Sequence, residues 1–195
     1  MDAKKNFLKI VVLGDSDVGK TSLLLRYTQG KMPAVTKATI GADFQKKEVM
    51  VKDTAVTVQI WDTAGQEKYQ SIGYAFYRGA DCCVLTFDLT KRKSFDALEK
   101  WREGFVDHAG PTDPDNYPFV VMGNKCDKDD REVTREEVES WCQQHGKIPY
   151  FETSAVQNTN VDDAFMAIIS KAVANQDTNS IVMPDSIGVV GTGTV

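Results

Sequence analysis

The sequence predicts an α/β domain built on a six-stranded, mostly parallel sheet, with one antiparallel hairpin strand and helices on both faces. Three observations carry that prediction. Apolar strand-like runs alternate with amphipathic helix-like stretches, the rhythm of βαβ units whose sheet is covered on both sides. Gly14-Asp15-Ser16-Asp17-Val18-Gly19-Lys20-Thr21 fits the pattern G-x-x-x-x-G-K-[ST] and joins the first such run to the first helix-like stretch. Lys52-Asp53-Thr54 is a short polar break between two strand-like runs, so those two pair as an antiparallel hairpin.

In chain order, the apolar run 7–13 is the first strand and the stretch 19–28 behind the glycine-rich turn is the first helix. The runs 42–51 and 55–62 flank the polar break and form the hairpin. Strands at 82–88, 119–124 and 150–153 then alternate with helices at 67–78, 94–108, 135–145 and 161–174. No internal repeat is visible. From Asn175 the composition turns to Gly, Thr, Ser, Asn and Asp with scattered Ile and Val, so residues 1–174 are expected as one domain and 175–195 as a flexible tail.

At 195 residues and 42% hydrophobic, the chain suffices for one core of ordinary size. A net charge of −5 argues against a sequence-independent nucleic-acid binder, and Lys91-Arg92-Lys93 reads as a solvated loop. Four cysteines, two adjacent at Cys82-Cys83 in an apolar run, read as buried small hydrophobes rather than a disulfide framework, which suits the cytosol. The N-terminal segment has neither an apolar signal region nor a Gly at position two, and no run approaches membrane-spanning length. A cytoplasmic monomer is expected.

The glycine-rich turn is the strongest chemical signal. A strand feeding such a turn aims consecutive backbone N–H groups and a helix N-terminus at one anion, Lys20 adds a point charge, and the Thr21 hydroxyl reaches Mg²⁺. Three further clusters fall at predicted strand ends, where ligands of open α/β sheets collect. In Trp61-Asp62-Thr63-Ala64-Gly65-Gln66-Glu67, Asp62 suits a Mg²⁺-bound water, Gly65 a terminal phosphate and Gln66 an attacking water; alone, the segment also suits a plain polar turn. In Asn124-Lys125-Cys126-Asp127 the carboxylate suits both N–H donors of a guanine edge, a pair adenine lacks, although Asn124 and Asp127 equally suit a capping turn. Glu152-Thr153-Ser154-Ala155 suits donation of a backbone N–H to the guanine oxygen, or a plain strand terminus.

Together, in this order and spacing, these clusters resemble the small GTPases of the Ras superfamily over about residues 7–174. The runs 37–44, 59–67 and 75–81 resemble the Rab family, and 76–85, 117–124 and 148–155 its late-endosomal and lysosomal subfamily. The resemblance implies a P-loop G domain acting as a GTP-on, GDP-off switch in endosomal trafficking, peripheral on endosomal or lysosomal membranes. It implies nucleotide contacts from Gly14, Asp15, Ser16, Asp17, Val18, Gly19, Lys20, Thr21 and Ser22. Thr39, Gly65, Asn124, Lys125, Asp127, Ser154, Ala155 and Val156 complete that set. Mg²⁺ is implied at Thr21, at the switch I residue Thr39 and, through water, at Asp62. Gln66, Lys20 and Gly65 are the implied catalytic set, and exchange factor, activating protein and effectors are the implied partners of switches I and II.

Strand alternation locates the reading surface. Val56, Val58 and Ile60 share one face, leaving Trp61 on the other with Thr57 and Gln59, while Phe44 falls outward with Lys46 and Glu48. Phe76 matches the third member of the family's aromatic triad, so Phe44, Trp61 and Phe76 are the expected effector surface; the alternative is a minor satellite cluster. Trp101 and Trp141 are expected in the core.

Some positions depart from the family. Rab proteins end in prenylated cysteines, whereas the last cysteine here is Cys142, so either the given sequence lacks the natural terminus or membranes are reached through a partner. Asp17 adds a carboxylate to the phosphate loop, Met32 replaces an aromatic at guanine, Thr36 a covering Tyr and Val156 a Lys stem. Looser nucleotide binding is one expectation, and neutrality with Asp17 in water is the other. A P-loop kinase has no need of Asn124, Lys125 and Asp127, and a GTP-binding scaffold with little hydrolysis is the remaining alternative.

Overall fold

The computed structural model describes residues 7–32, 39, 41–65 and 70–181. In chain order the elements are β1 (Phe7–Leu13), α1 (Lys20–Gln29), β2 (Ala42–Val51), β3 (Thr54–Thr63), α2 (Gln70–Tyr77) and β4 (Cys82–Asp88). They continue as α3 (Arg92–Asp96), α4 (Leu98–Ala109), β5 (Phe119–Asn124), α5 (Arg135–Gln144), β6 (Tyr150–Thr153) and α6 (Val161–Ile181). One sheet has the order β2-β3-β1-β4-β5-β6, parallel throughout except for the β2–β3 pair. The six-stranded, mostly parallel α/β architecture read from the sequence is the one observed.

Burial follows position in the sheet. Every residue of β4 and β5 is buried, as inner parallel strands covered on both faces require. β2, at the sheet edge, alternates between half-buried and exposed positions along most of its length. Side-chain alternation splits the core into two layers. Leu8, Ile10 and Val12 of β1 pack with Leu23 and Tyr27 of α1 and Phe165 and Ile169 of α6, where Tyr27 and Phe165 stack 4.2 Å apart. Val11 and Leu13 face the other way, onto Tyr77 of α2, Trp101 and Phe105 of α4 and Val138 of α5.

Three of the boundaries that differ from the sequence reading have a physical cause. Lys52 and Asp53 have φ of 44° and 63°, a two-residue turn whose twist matches a hairpin, so Thr54 belongs to β3 and not to the break. The helix expected over 94–108 starts at Arg92 and is interrupted at Ala97, whose φ and ψ of −76° and −12° stay helical. The third correction concerns the tail. α6 continues past Ala174 to Ile181, because Asn175 Nδ2 donates to Asn116 O at 3.3 Å and Gln176 Nε2 to Asp81 Oδ1 at 3.0 Å, tying the added turns to the domain. Polar composition looked like a tail, but tertiary contacts override weak helix propensity. Residues 182–195 lie outside the described residues.

Candidate functional site

The loop between β1 and α1 is shaped by contacts that only glycine tolerates at two points. A Cβ on Gly14 would lie 2.1 Å from Thr86 O, and one on Gly19, at φ 101°, 2.3 Å from Asn124 Nδ2. Gly19 is also the N-cap of α1, so no side chain stands between the helix N-terminus and a ligand. Lys20, only 6% exposed, folds its ammonium back over the loop, donating to Gly14 O at 2.7 Å and Asp15 O at 2.8 Å. Burial pushes Lys20 down to about 8, against the opposing pull of Asp62, Asp15 and Asp17. Ser16 is half-buried, and Val18 and Ser22 are buried beneath the loop and in the first turn of α1.

Three oxygen side chains converge beside it. Thr21 Oγ1 donates to Asp62 Oδ2 at 2.5 Å, Thr39 Oγ1 donates to the same oxygen at 3.1 Å, and the two hydroxyls lie 3.1 Å apart. Asp62 Oδ1 is buried with no hydrogen-bond partner among the described residues. Burial raises the Asp62 carboxyl, outweighing the opposing hydrogen bonds from Thr21 and Thr39 and the charge of Lys20. Close by, Gly65 rests on the loop itself, where an added Cβ would meet Asp15 C and Ser16 N at 2.4 Å. Gln66 and Thr36 lie outside the described residues.

On the far side of the loop, Asn124 is buried and donates through Nδ2 to Val18 O at 2.9 Å, joining the end of β5 to the phosphate loop. Lys125, at φ 67°, donates to Asp17 O at 2.6 Å and pairs with buried Asp88 at 2.6 Å. Burial would push Asp88 up, but Lys125 and the N–H and hydroxyl of Thr90 outweigh it and hold the carboxyl below its usual range. Asp127 Oδ1 accepts from Ser154 Oγ at 2.5 Å. The Ser154 N–H is committed to Thr159 O at 3.2 Å. Arg26 pins the turn from below, donating to Ala155 O at 2.8 Å and Val156 O at 3.1 Å, and Val156 itself is 63% exposed.

Sequence reasoning missed three supports. Asp88 carried a legible signal, a carboxylate ending an apolar strand as Asp62 does. Arg26 and Trp101 carried none, since only the fold brings them to the site. Trp101 is buried as expected, but its indole N–H donates to Asp15 Oδ1 at 2.8 Å.

Residues 9–174 match the Ras family. This chain belongs to that family. Ras-related protein Rab-7a of Dictyostelium discoideum is 54% identical over 188 residues, covering 96% of this chain and 93% of its own length. Ras-related protein Rab7 of Cenchrus ciliaris is 53% identical over 191 residues, again 96% and 93%. GTP-binding protein YPTC5 of Chlamydomonas reinhardtii is 53% identical over 194 residues, 98% and 94%. The chain is a Rab7-like GTPase switch of endosomal and vesicle trafficking.

Phe44 and Trp61 share a face as strand alternation predicts, and Phe76 joins them. Phe44 pairs with Trp61 across β2 and β3, their rings 5.0 Å apart, and Phe76 of α2 stacks on Trp61 at 5.0 Å. Phe44 is 41% exposed. Of the departures, Asp17 is exposed at φ 64° and Met32 packs against the core. Asp17→Gly relieves a left-handed backbone position that resists a side chain. It is expected to raise stability by about 0.5–1 kcal/mol, net of the entropy glycine adds to the unfolded chain. Chemical denaturation of both forms with GDP bound checks this; an equal or lower midpoint would show that Asp17 is unstrained.

Proposed function

We propose that Gly14 to Ser22 cradle the phosphates of GTP and GDP, that Asp127 and Ala155 read guanine, and that Thr39 and Gly65 sense the γ-phosphate. The observation that carries this reading is the meeting of Thr39 and Gly65, from two separate segments, on Thr21 and on the Asp15-Ser16 peptide of one loop. Lys20 carries a buried positive charge within that loop, and the donor array of the α1 N-terminus favours the same anion. Asn124 and Lys125 brace the loop from behind, so base recognition and phosphate recognition are made on one rigid body.

Mg²⁺ fits the oxygens of Thr21, Thr39 and Asp62, a hard-donor set with one carboxylate oxygen unpartnered, and when bound it supplies charge neutralisation at the phosphates. The protein's own contribution to hydrolysis is to position: Lys20 holds the phosphate chain, the Gly65 N–H orients the terminal group, and Gln66 holds the attacking water. Intrinsic turnover is slow, and an activating protein adds charge stabilisation at the terminal phosphate. The work is done as a peripheral protein at endosomal membranes, a reading supported by the Rab7 relatives. Among the described residues no helix is long and apolar enough to cross a membrane.

Identification of the nucleotide carried by the purified protein, followed by single-turnover hydrolysis with and without cell extract, tests this reading. ATP in place of guanine nucleotide would end it. Gln66→Leu is expected to slow stimulated hydrolysis at least about tenfold while GTP affinity stays within a few-fold, because the amide acts on the water and not on the ground-state phosphates. An unchanged stimulated rate would remove Gln66 from the mechanism.

Phe44, Trp61 and Phe76 form the surface through which effectors read the GTP state. Trp61→Ala is expected to weaken a GTP-dependent partner by about 2 kcal/mol or more, the usual effect of truncating a central aromatic anchor. Calorimetry with that partner, beside a GDP-release assay, separates recognition from folding. Accelerated GDP release with unaltered partner affinity would make Trp61 structural.

A further inference from the structure

Asp15 is where three parts of the molecule meet. Its carbonyl accepts from Lys20 Nζ at 2.8 Å, its peptide to Ser16 is the surface on which Gly65 rests, and its carboxylate accepts the indole N–H of Trp101 at 2.8 Å. The first two contacts belong to the loop and to switch II. The third comes from α4, 86 residues along the chain.

We propose that Trp101 is a positioning residue of the nucleotide site, acting through Asp15 to fix the peptide on which Lys20 and Gly65 both bear. The inference rests on the reading of Gly14 to Ser22 as a phosphate cradle. A carboxylate is a poor choice inside an anion-binding loop unless something holds it, and the indole N–H is a donor in a fixed direction, delivered by a ring that is 5% exposed. An aliphatic or phenyl side chain would fill the same space without that donor.

The same helix reaches switch II. Trp101, Phe105 and His108 follow at i, i+4 and i+7, one stripe of α4. Phe105 packs on Tyr77 with centroids 5.4 Å apart, and His108 stacks on Tyr74 at 3.6 Å, both partners lying in α2. One rod therefore holds the phosphate loop at its first end and the switch II helix at its second. A shift of α2 is felt at Asp15 through packed rings and a hydrogen bond, without any ligand between them.

The test is release of a fluorescent GDP analogue from the full chain in excess Mg²⁺, for the wild type, Trp101→Phe, Asp15→Ala, Asp15→Asn and the Trp101→Phe/Asp15→Ala double variant. Trp101→Phe keeps a ring and loses the donor, and is expected to release roughly ten- to a hundredfold faster, the scale of one hydrogen bond to a charged group. The double variant should release no faster than the quicker single one, and Asp15→Asn, which retains an acceptor, more slowly than Asp15→Ala. Rates that multiply in the double variant would show that Trp101 acts through packing alone and overturn the proposal. Where Trp101→Phe does not fold, the indole Nε1–H resonance of Trp101 decides: it moves in Asp15→Ala if the bond exists in solution, and an unmoved resonance overturns it. Wild-type protein retaining no guanine nucleotide would overturn the cradle and the role of Trp101 together, whereas multiplied rates on a nucleotide-bound wild type overturn only the latter.

Discussion

Replacing Asp127 by Asn is expected to turn the base preference from guanine to xanthine and to lower GTP affinity by about 3–5 kcal/mol, roughly a hundred- to several-thousandfold. The carboxylate offers two acceptors to the two N–H groups of the guanine edge. An amide offers one acceptor and sets a donor against a donor, whereas xanthine presents a carbonyl at that point. The local structure survives the change, because the hydroxyl of Ser154, now 2.5 Å from Asp127 Oδ1, still finds the amide oxygen. Competition between fluorescent GDP and its xanthine counterpart measures the effect. A variant that keeps the guanine preference would show that Asp127 serves the β5 turn and not the base.

Gly65→Ala is expected to remove the distinction between GTP and GDP that partners read, lowering GTP-dependent partner affinity at least about tenfold while GDP stays bound. The new Cβ would stand 2.4 Å from two backbone atoms and 2.6 Å from Asp15 O, none of which a side-chain rotation relieves. The arrangement in which Gly65 lies on the phosphate loop is thus closed to alanine, and a ligand that stabilises only that arrangement loses its hold on the equilibrium. Partner binding by the GTP-loaded variant, measured by calorimetry, checks it. Full binding would mean that partners do not require this contact.

Local chemistry was legible where the chain itself brings the residues together. The loop 14–21, the Asn124–Asp127 run and the strand ends at Asp62 and Thr153 are contiguous signals whose spacing alone places them, and the fold put each at the same sheet edge. The alternation of β2 and β3 likewise put Phe44 and Trp61 on the outward face, since period two fixes the face, while their pairing in register is set by the hairpin turn. What sequence could not yield were contacts over long separations: Asp88 with Lys125, Arg26 with Ala155, Trp101 with Asp15. Each depends on which helix docks beside which strand. The end of α6 was misread for a related reason, as its added turns are held by Asn116 and Asp81, two residues nothing in the local composition points to.

The way α6 ends gives the molecule two poles. Gln176 bonds to Asp81 at the start of β4 and Asn175 to Asn116 just before β5, so the helix ends at the edge where the parallel strands begin, and β1 begins there too. Thr21, Asp62, Asn124 and Asp127 gather at the edge where those strands finish, about 20 Å away for strands of seven residues. Ile181, the last described residue of α6, therefore lies in the hemisphere opposite the nucleotide. Anything that holds the protein at Ile181, whether a surface or a reporter fused there for an assay, leaves the nucleotide face turned outward and in full view of approaching regulators.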